Sequence, residues 1–264
     1  FSGDGLLMRV FRYKQFVTAC QSTAAWRERL RRNARIKLGF DPDSIFFDQL
    51  SGHMPDLCFD ASHPHGNRAD RESRYLIENL RMLRGLCRNG KALGSEGIAD
   101  AYAPYLDYHH GNQHGSGLGA TAFPALFRRT FPEPIVTNRF THDSGDGFER
   151  QLNFAFIHGY RYDVSIYRGR TCGIAGDPAY AERIKRLVDE KARYAGFFYG
   201  DGRFLDVADP PPPLKGCLYR DAAGRVLAAL WNDSDRPANC SFEGRRIRLP
   251  PQEVGCVELE AKAR

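Results

Sequence analysis

Apolar residues in this chain alternate between short, nearly continuous runs and longer stretches with helical spacing. Phe16 to Ala19 predicts a first short strand, and Ser22-Thr23 predicts a helix N-cap. Trp26, Leu30, Ala34 and Leu38 then recur every four residues up to Gly39, the signature of an amphipathic helix. Ser44 to Gln49 reads as a buried strand that stops at the carboxylate Asp48, and a polar loop follows from Ser51 to Asn67. A second helix is predicted from Arg71 to Arg88, with Leu76, Leu80, Leu83 and Cys87 on one stripe and Asn89-Gly90 closing it. Lys91 to Ser95 forms a strand that ends at Glu96. Further on, the pattern predicts a helical turn at Phe123 to Arg129 and a strand at Ile135 to Thr137 that ends at Asn138-Arg139. A helix at Phe148 to His158, an extended segment at Tyr162 to Tyr167 and a long helix opening at Asp177-Pro178 complete this region.

Short, almost wholly apolar strands between helices imply a parallel sheet covered on both faces. The expected fold is α/β: the C-terminal part of a (β/α)8 barrel over residues 1–208, followed by a small antiparallel β-sandwich over 209–264. The run Asp209-Pro-Pro-Pro-Pro213 marks the boundary between them. Beyond it, Cys217–Tyr219, Val226–Trp231, Asn239–Phe242, Arg245–Leu249 and Val254–Leu259 read as strands joined by Gly- and Pro-bearing turns. Only four or five β/α units are countable where a closed barrel needs eight. The N-terminal strands are therefore expected from a missing part of the parent chain or from a partner.

Composition narrows the function. The 264 residues are 42% hydrophobic and 12% aromatic, which is ordinary for a globular protein. No apolar run reaches the ~20 residues of a membrane-spanning helix, so no membrane partner is expected. The formal charge is +6, yet 31 of the 38 basic residues are arginines scattered over helices and strands, with one dense run from Arg27 to Arg35. That distribution lacks the footprint of a nucleic-acid surface, and no nucleic-acid partner is expected. Seven cysteines without a Cys-x-x-Cys favour reduced thiols over a disulfide framework, and with them a cytoplasmic location.

In a barrel the active face lies at the C-terminal strand ends. Asp48 and Glu96 end successive strands and would lie on one rim. Neighbouring strands are ~4.8 Å apart, compatible with the ~5–5.5 Å between the carboxyl groups of a retaining glycosidase. Glu96 stands between Ser95 and Gly97, close to Gly94, and the glycines allow close approach of a substrate. Glu96 is expected to be partly buried and to hold a proton near neutral pH. Asp100 and Asp107 compete for the acid role, Asp100 more strongly. Gln49, His63, His65, Asn138 and Arg139 offer hydrogen bonds to sugar hydroxyls, and Trp26 and Tyr102 offer stacking faces, while Trp26 also suits the role of a helix's core anchor.

Several segments carry a resemblance. Phe16-Val-Thr-Ala-Cys20, Trp26-Arg27, Gly39-Phe-Asp41 and Ile45-Phe-Phe-Asp-Gln49 resemble the fourth-strand region of retaining α-glycosidase barrels. The His63-Pro-His65 loop, Gly94-Ser-Glu-Gly97 with Asp100, and Phe131-Pro-Glu-Pro134 are similar to a family of largely uncharacterised bacterial proteins with such barrels. The resemblance runs from about Phe16 to Asp206. In α-amylase-like and endo-α-N-acetylgalactosaminidase-like barrels the nucleophile is an Asp after the fourth strand and the acid/base a Glu after the fifth. The resemblance therefore implies that Asp48 is the nucleophile and Glu96 the general acid/base of an O-glycoside hydrolase acting with retention on a carbohydrate. One departure is Asp41-Pro42, where many such barrels have Asp-Gly.

Two other classes compete. His53, Cys58, Asp60, His63 and His65 crowd one loop and are competent to hold zinc, as in a zinc-dependent hydrolase or a structural loop. Pro64 constrains the His pair, and no helix-borne His-x-x-x-His or Cys-x-x-Cys supports it, so the expectation is no metal and no cofactor. The other class is a catalytically inactive carbohydrate-binding barrel fragment. Gly115-Ser-Gly-Leu-Gly119 follows no strand and is not read as a nucleotide loop.

Overall fold

A computed structural model describes residues 8–11, 14–17, 19–51, 57–97, 100–110, 124–142, 148–165 and 178–260. The chain divides into two compact units, Phe1–His109 and His110–Arg264.

In the first unit, β1 (Met8–Phe11) and β2 (Lys14–Val17) form an antiparallel hairpin. Of the strand expected at 16–19, Phe16 and Val17 belong to this hairpin, and Ala19 has already left it. α1 (Ala24–Leu38) begins where Thr23 Oγ1 accepts the Trp26 N–H at 3.4 Å, as the N-cap pattern predicts. β3 (Ser44–Phe47) pairs in parallel with β4 (Ala92–Glu96), and α2 (Glu72–Leu86) makes the crossover between them. β5 (Tyr108–His110) lies beside β4. Leu30 and Ala34 of α1 and Leu76, Leu80 and Leu83 of α2 cover Ile45, Phe47 and Leu93 of the strands. The predicted stripe is the core, and each fully buried leucine contributes roughly 1.5–3 kcal/mol. Asn89 and Gly90 both take positive φ and turn the chain from α2 into β4.

The second unit contains α3 (Pro124–Thr130), β6 (Ile135–His142), α4 (Phe148–Ile157), β7 (Arg161–Ser165), α5 (Pro178–Arg193) and α6 (Ala195–Phe198). β6 and β7 are parallel, with a register shift between Asn138 and Thr141. An antiparallel sheet follows, in the order β13 (Val254–Leu259), β10 (Val226–Asn232), β9 (Leu214–Arg220), β8 (Arg203–Ala208). β11 (Ala238–Phe242) and β12 (Arg245–Leu249) form a separate hairpin. Its turn, Glu243-Gly244, has positive φ at both residues, the two-residue geometry that matches strand twist. The proline run lies between two strands of one sheet, because β8 precedes it and pairs with β9.

Leu152 and Phe156 of α4, Tyr180 and Leu187 of α5 and Phe197 and Phe198 of α6 pack on Phe204, Tyr219, Leu227 and Trp231 of the antiparallel sheet. Tyr219 donates its phenol hydrogen to the Ile157 carbonyl at 2.6 Å. That contact requires a glycine at 159, where φ is +67° and a Cβ would stand 2.8 Å from the Tyr219 hydroxyl. Buried Lys191 donates to the carbonyls of Tyr160 (2.6 Å) and Ala155 (3.3 Å) with its Nζ 4.5 Å from the Tyr162 ring centre. Burial among apolar rings holds its pKa well below the ordinary lysine range. Among the described residues no helix is long and apolar enough to cross a membrane.

Candidate functional site

The first unit builds its candidate site at the C-terminal ends of β3 and β4. Phe47 and Ser95 are the last register partners, so Asp48 and Glu96 follow directly at adjacent strand ends. β3 stops one residue before Asp48, which stands exposed in a turn with Gln49, itself exposed and at φ +56°. Glu96 is the last residue of β4 and only 8% exposed. A hydroxyl relay ties the two strand ends together. Ser95 Oγ donates to the Phe47 carbonyl at 2.7 Å and accepts the Ser51 N–H at 3.1 Å, while Ser51 Oγ donates to the Glu96 carbonyl at 3.0 Å. These bonds fix the backbone on which both carboxylates sit. Gly97 has φ +84°, and its carbonyl lies 3.2 Å from Nδ1 of fully buried His109. Burial lowers the His109 pKa, and because the carbonyl oxygen can only accept, Nδ1 is the donor in this contact. Ser51, Ser95 and His109 were invisible to motif reasoning, since their role is set by strand pairing and not by spacing.

The competing carboxylates have other partners. Asp107 Oδ2 accepts from the Arg84 guanidinium and from the Leu93 N–H, near the start of β4 and away from the Glu96 end. Asp100 is exposed and accepts the Ala101 N–H in a short 3-10 helix. Tyr102, expected as a stacking face, is buried in the core with Leu76 and Leu80, and that burial raises its phenol pKa. Trp26 is half-buried against the same core and donates its indole N–H to Gln21 Oε1 at 3.0 Å. It lines an open groove of about 650 Å³ together with Cys20, Thr23, Arg29, Arg32 and His63. Neither Asp48 nor Glu96 lines that groove. Asn138 and Arg139 lie within β6, which continues past them to His142, so the polar pair does not end the strand. Their side chains, like His53 and the 115–119 glycine segment, lie outside the described residues. In the second unit, His110 Nε2 sits 2.9 Å from Asp163 Oδ2 on β7, a pair the sequence did not single out.

His63 and His65 converge with two sulfurs. One ligand-capable atom from each of Cys20, Cys58, His63 and His65 lies within 4.8 Å of the other three. Cys20 enters from outside the loop to which the sequence confined any zinc site.

The chain is similar in fold to part of several glycoside hydrolases of known structure. It superposes on a GH27-b-L-arabinopyranosidase from Geobacillus stearothermophilus with a TM-score of 0.52 and 9% identity, covering 90% of this chain and 62% of that one. A GH36 alpha-galactosidase from the same organism, in complex with 1-deoxygalactonojirimycin, aligns at TM-score 0.58 and 8% identity over 97% of this chain and 41% of that one. A noncanonic maltogenic alpha-amylase from Thermotoga neapolitana aligns at TM-score 0.55 and 11% identity over 98% of this chain and 70% of that one. The chain thus spans less than two thirds of the length of the arabinopyranosidase and galactosidase. In sequence, residues 7–126 match the model of a domain of unknown function, DUF6259. No curated protein matches the sequence.

Proposed function

We propose that this chain carries the catalytic carboxylates of a retaining O-glycoside hydrolase in a (β/α) barrel, with its antiparallel β region appended. Asp48 attacks the anomeric carbon, and Glu96 protonates the leaving oxygen and then activates water. The observation that carries this reading is the parallel β3–β4 pair, whose last register partners, Phe47 and Ser95, precede the two carboxylates. Asp48 is exposed to solvent, while Glu96 is buried, a division that suits a nucleophile and a proton carrier. Gln49, exposed beside Asp48, contacts sugar hydroxyls in this reading. Fold likeness to enzymes acting on glycosides supports the substrate class and leaves sugar and linkage to experiment.

The test assays the natural chain containing these residues on aryl α-galactosides, α-glucosides and β-L-arabinopyranosides. Glu96→Gln is expected to lower kcat by about 10²–10⁴-fold, and Asp48→Asn to abolish turnover, with the thermal midpoint unchanged in both. Turnover that survives Asp48→Asn overturns the nucleophile assignment. Saturable sugar binding without any turnover favours the inactive carbohydrate-binding alternative.

A further inference from the structure

We propose that Cys20, Cys58, His63 and His65 form a tetrahedral zinc site that clamps the loop downstream of Asp48 to the start of α1. Their donor atoms lie within 4.8 Å of one another, and Cys58 Sγ stands 3.3 Å from His63 Nδ1. Zinc–sulfur bonds of ~2.3 Å and zinc–nitrogen bonds of ~2.0–2.1 Å imply tetrahedral edges of roughly 3.3–3.8 Å. The cluster therefore closes on an ion with small side-chain movements. Two sulfurs and two imidazoles select zinc over calcium or magnesium, which require oxygen donors.

The histidines supply the second observation. His65 Nδ1 lies 2.8 Å from the Gly66 carbonyl oxygen, which can only accept, so Nδ1 carries the proton and Nε2 keeps its lone pair. That Nε2 is buried, in a residue 4% exposed, and among the described residues no hydrogen-bond partner meets it. A lone pair shielded from water and left unpaired is what a metal ligand looks like before its ion arrives. His63 is arranged in the converse sense. Its Nδ1 faces the Cys58 sulfur, and its Nε2 lies 3.4 Å from Asp60 Oδ2. Asp60 is itself held, since its Oδ1 accepts both the N–H (2.9 Å) and the hydroxyl hydrogen (2.6 Å) of Ser62. This is the carboxylate–histidine–metal arrangement in which an outer carboxylate orients the ligating ring. The two histidines enter through different nitrogens, and an oxygen acceptor holds the other nitrogen in each.

Cys20 is buried, with Ser22 Oγ at 3.0 Å and Glu72 Oε2 at 3.3 Å from its sulfur. On metal binding both thiols release their protons to solvent, and the Ser22 hydroxyl donates to the thiolate. Two thiolate charges balance the 2+ charge of the ion, so Glu72 faces a centre with no net charge. Four protein donors leave no open coordination position, which makes the site structural and not hydrolytic. It stands independently of whether Asp48 and Glu96 cleave a glycoside.

The experiment measures zinc in the intact chain purified without chelator, then replaces it with cobalt(II). One zinc per chain is expected, together with the intense visible bands of tetrahedral cobalt and thiolate-to-cobalt charge transfer. Cys20→Ser and Cys58→Ser lose stoichiometric metal, while Cys240→Ser keeps it. Asp60→Asn weakens zinc binding by about 10–100-fold. His65→Cys retains the metal and strengthens the charge-transfer band, a readout that stays decisive if the serine variants do not fold. Wild-type protein that cannot be loaded by added zinc, an octahedral cobalt spectrum, or a stoichiometric Cys20–Cys58 disulfide overturns the proposal.

Discussion

Gly94 lies on β4 two residues before Glu96, and the ring of Tyr108 on β5 packs directly over it. A Cβ at this position would stand 2.1 Å from Tyr108 Cζ, 2.2 Å from Cε2 and 2.5 Å from Cε1. Ordinary contact begins at 3.4 Å, so Gly94→Ala forces the ring away by more than an ångström. The ring has little freedom to yield, because it stacks on Phe46 with centres 6.2 Å apart and its hydroxyl reaches the Ile45 carbonyl at 3.5 Å. Overpacking of this kind costs about 1–3 kcal/mol. For a unit of this size that is roughly 4–8 °C of thermal midpoint per kcal/mol. The assay is a double-mutant cycle by denaturant unfolding. In the Tyr108→Ala background the ring is gone, and Gly94→Ala should become neutral or stabilise by about 0.4–1 kcal/mol through the unfolded chain. The single variant should also displace the strand end carrying Glu96, and so lower kcat more than it changes KM. An additive cycle, with Gly94→Ala equally costly in both backgrounds, refutes the packing that positions β4.

Lys191 gives a pH signature. Its folded-state pKa is depressed, so below the ordinary lysine value of ~10.4 the unfolded chain binds a proton that the folded chain does not, and stability rises with pH through that interval. Lys191→Met should flatten the rise of thermal midpoint with pH below about 10; an unchanged slope would contradict the assigned burial. Tyr219→Phe removes the buried bond to the Ile157 carbonyl and leaves that oxygen unpaired, which should cost about 1–3 kcal/mol in chemical denaturation. A loss below about 0.5 kcal/mol would show that the carbonyl finds another donor.

Much of the first unit was legible in the chain because its signals are periodic and local. Thr23 caps α1, and Leu76, Leu80 and Leu83 make the buried stripe of α2, with Cys87 buried at its C-cap, close to what the spacing predicts. Four of the five strands after the prolines match their predicted runs to within a residue, while β9 extends from Leu214 to Arg220 around the expected Cys217–Tyr219. Signals that depend on pairing were not readable. β8, Arg-Phe-Leu-Asp-Val-Ala, carries charges and a register shift between Phe204 and Asp206, so it lacks clean alternation, yet β9 recruits it. Polar Asn138-Arg139 look like a strand end, but β6 continues through a bulge. Asp48 reads as the last residue of its strand, whereas the chain already turns there, with Gln49 at positive φ. At the sulfur–imidazole cluster, His63, His65 and Cys58 are neighbours in sequence and attract notice, while Cys20 joins them from the segment before α1. Such long-range partners leave no local spacing to detect.

The reading of the active pair is tested most directly by trapping the glycosyl-enzyme. The natural chain is incubated with activated galactosyl, glucosyl and arabinosyl fluorosugars, and the labelled carboxylate is located by peptide mass mapping. The account predicts a single ester on Asp48 that accumulates and is absent in Asp48→Asn. An ester on another carboxylate, or turnover with no ester on Asp48, would contradict it.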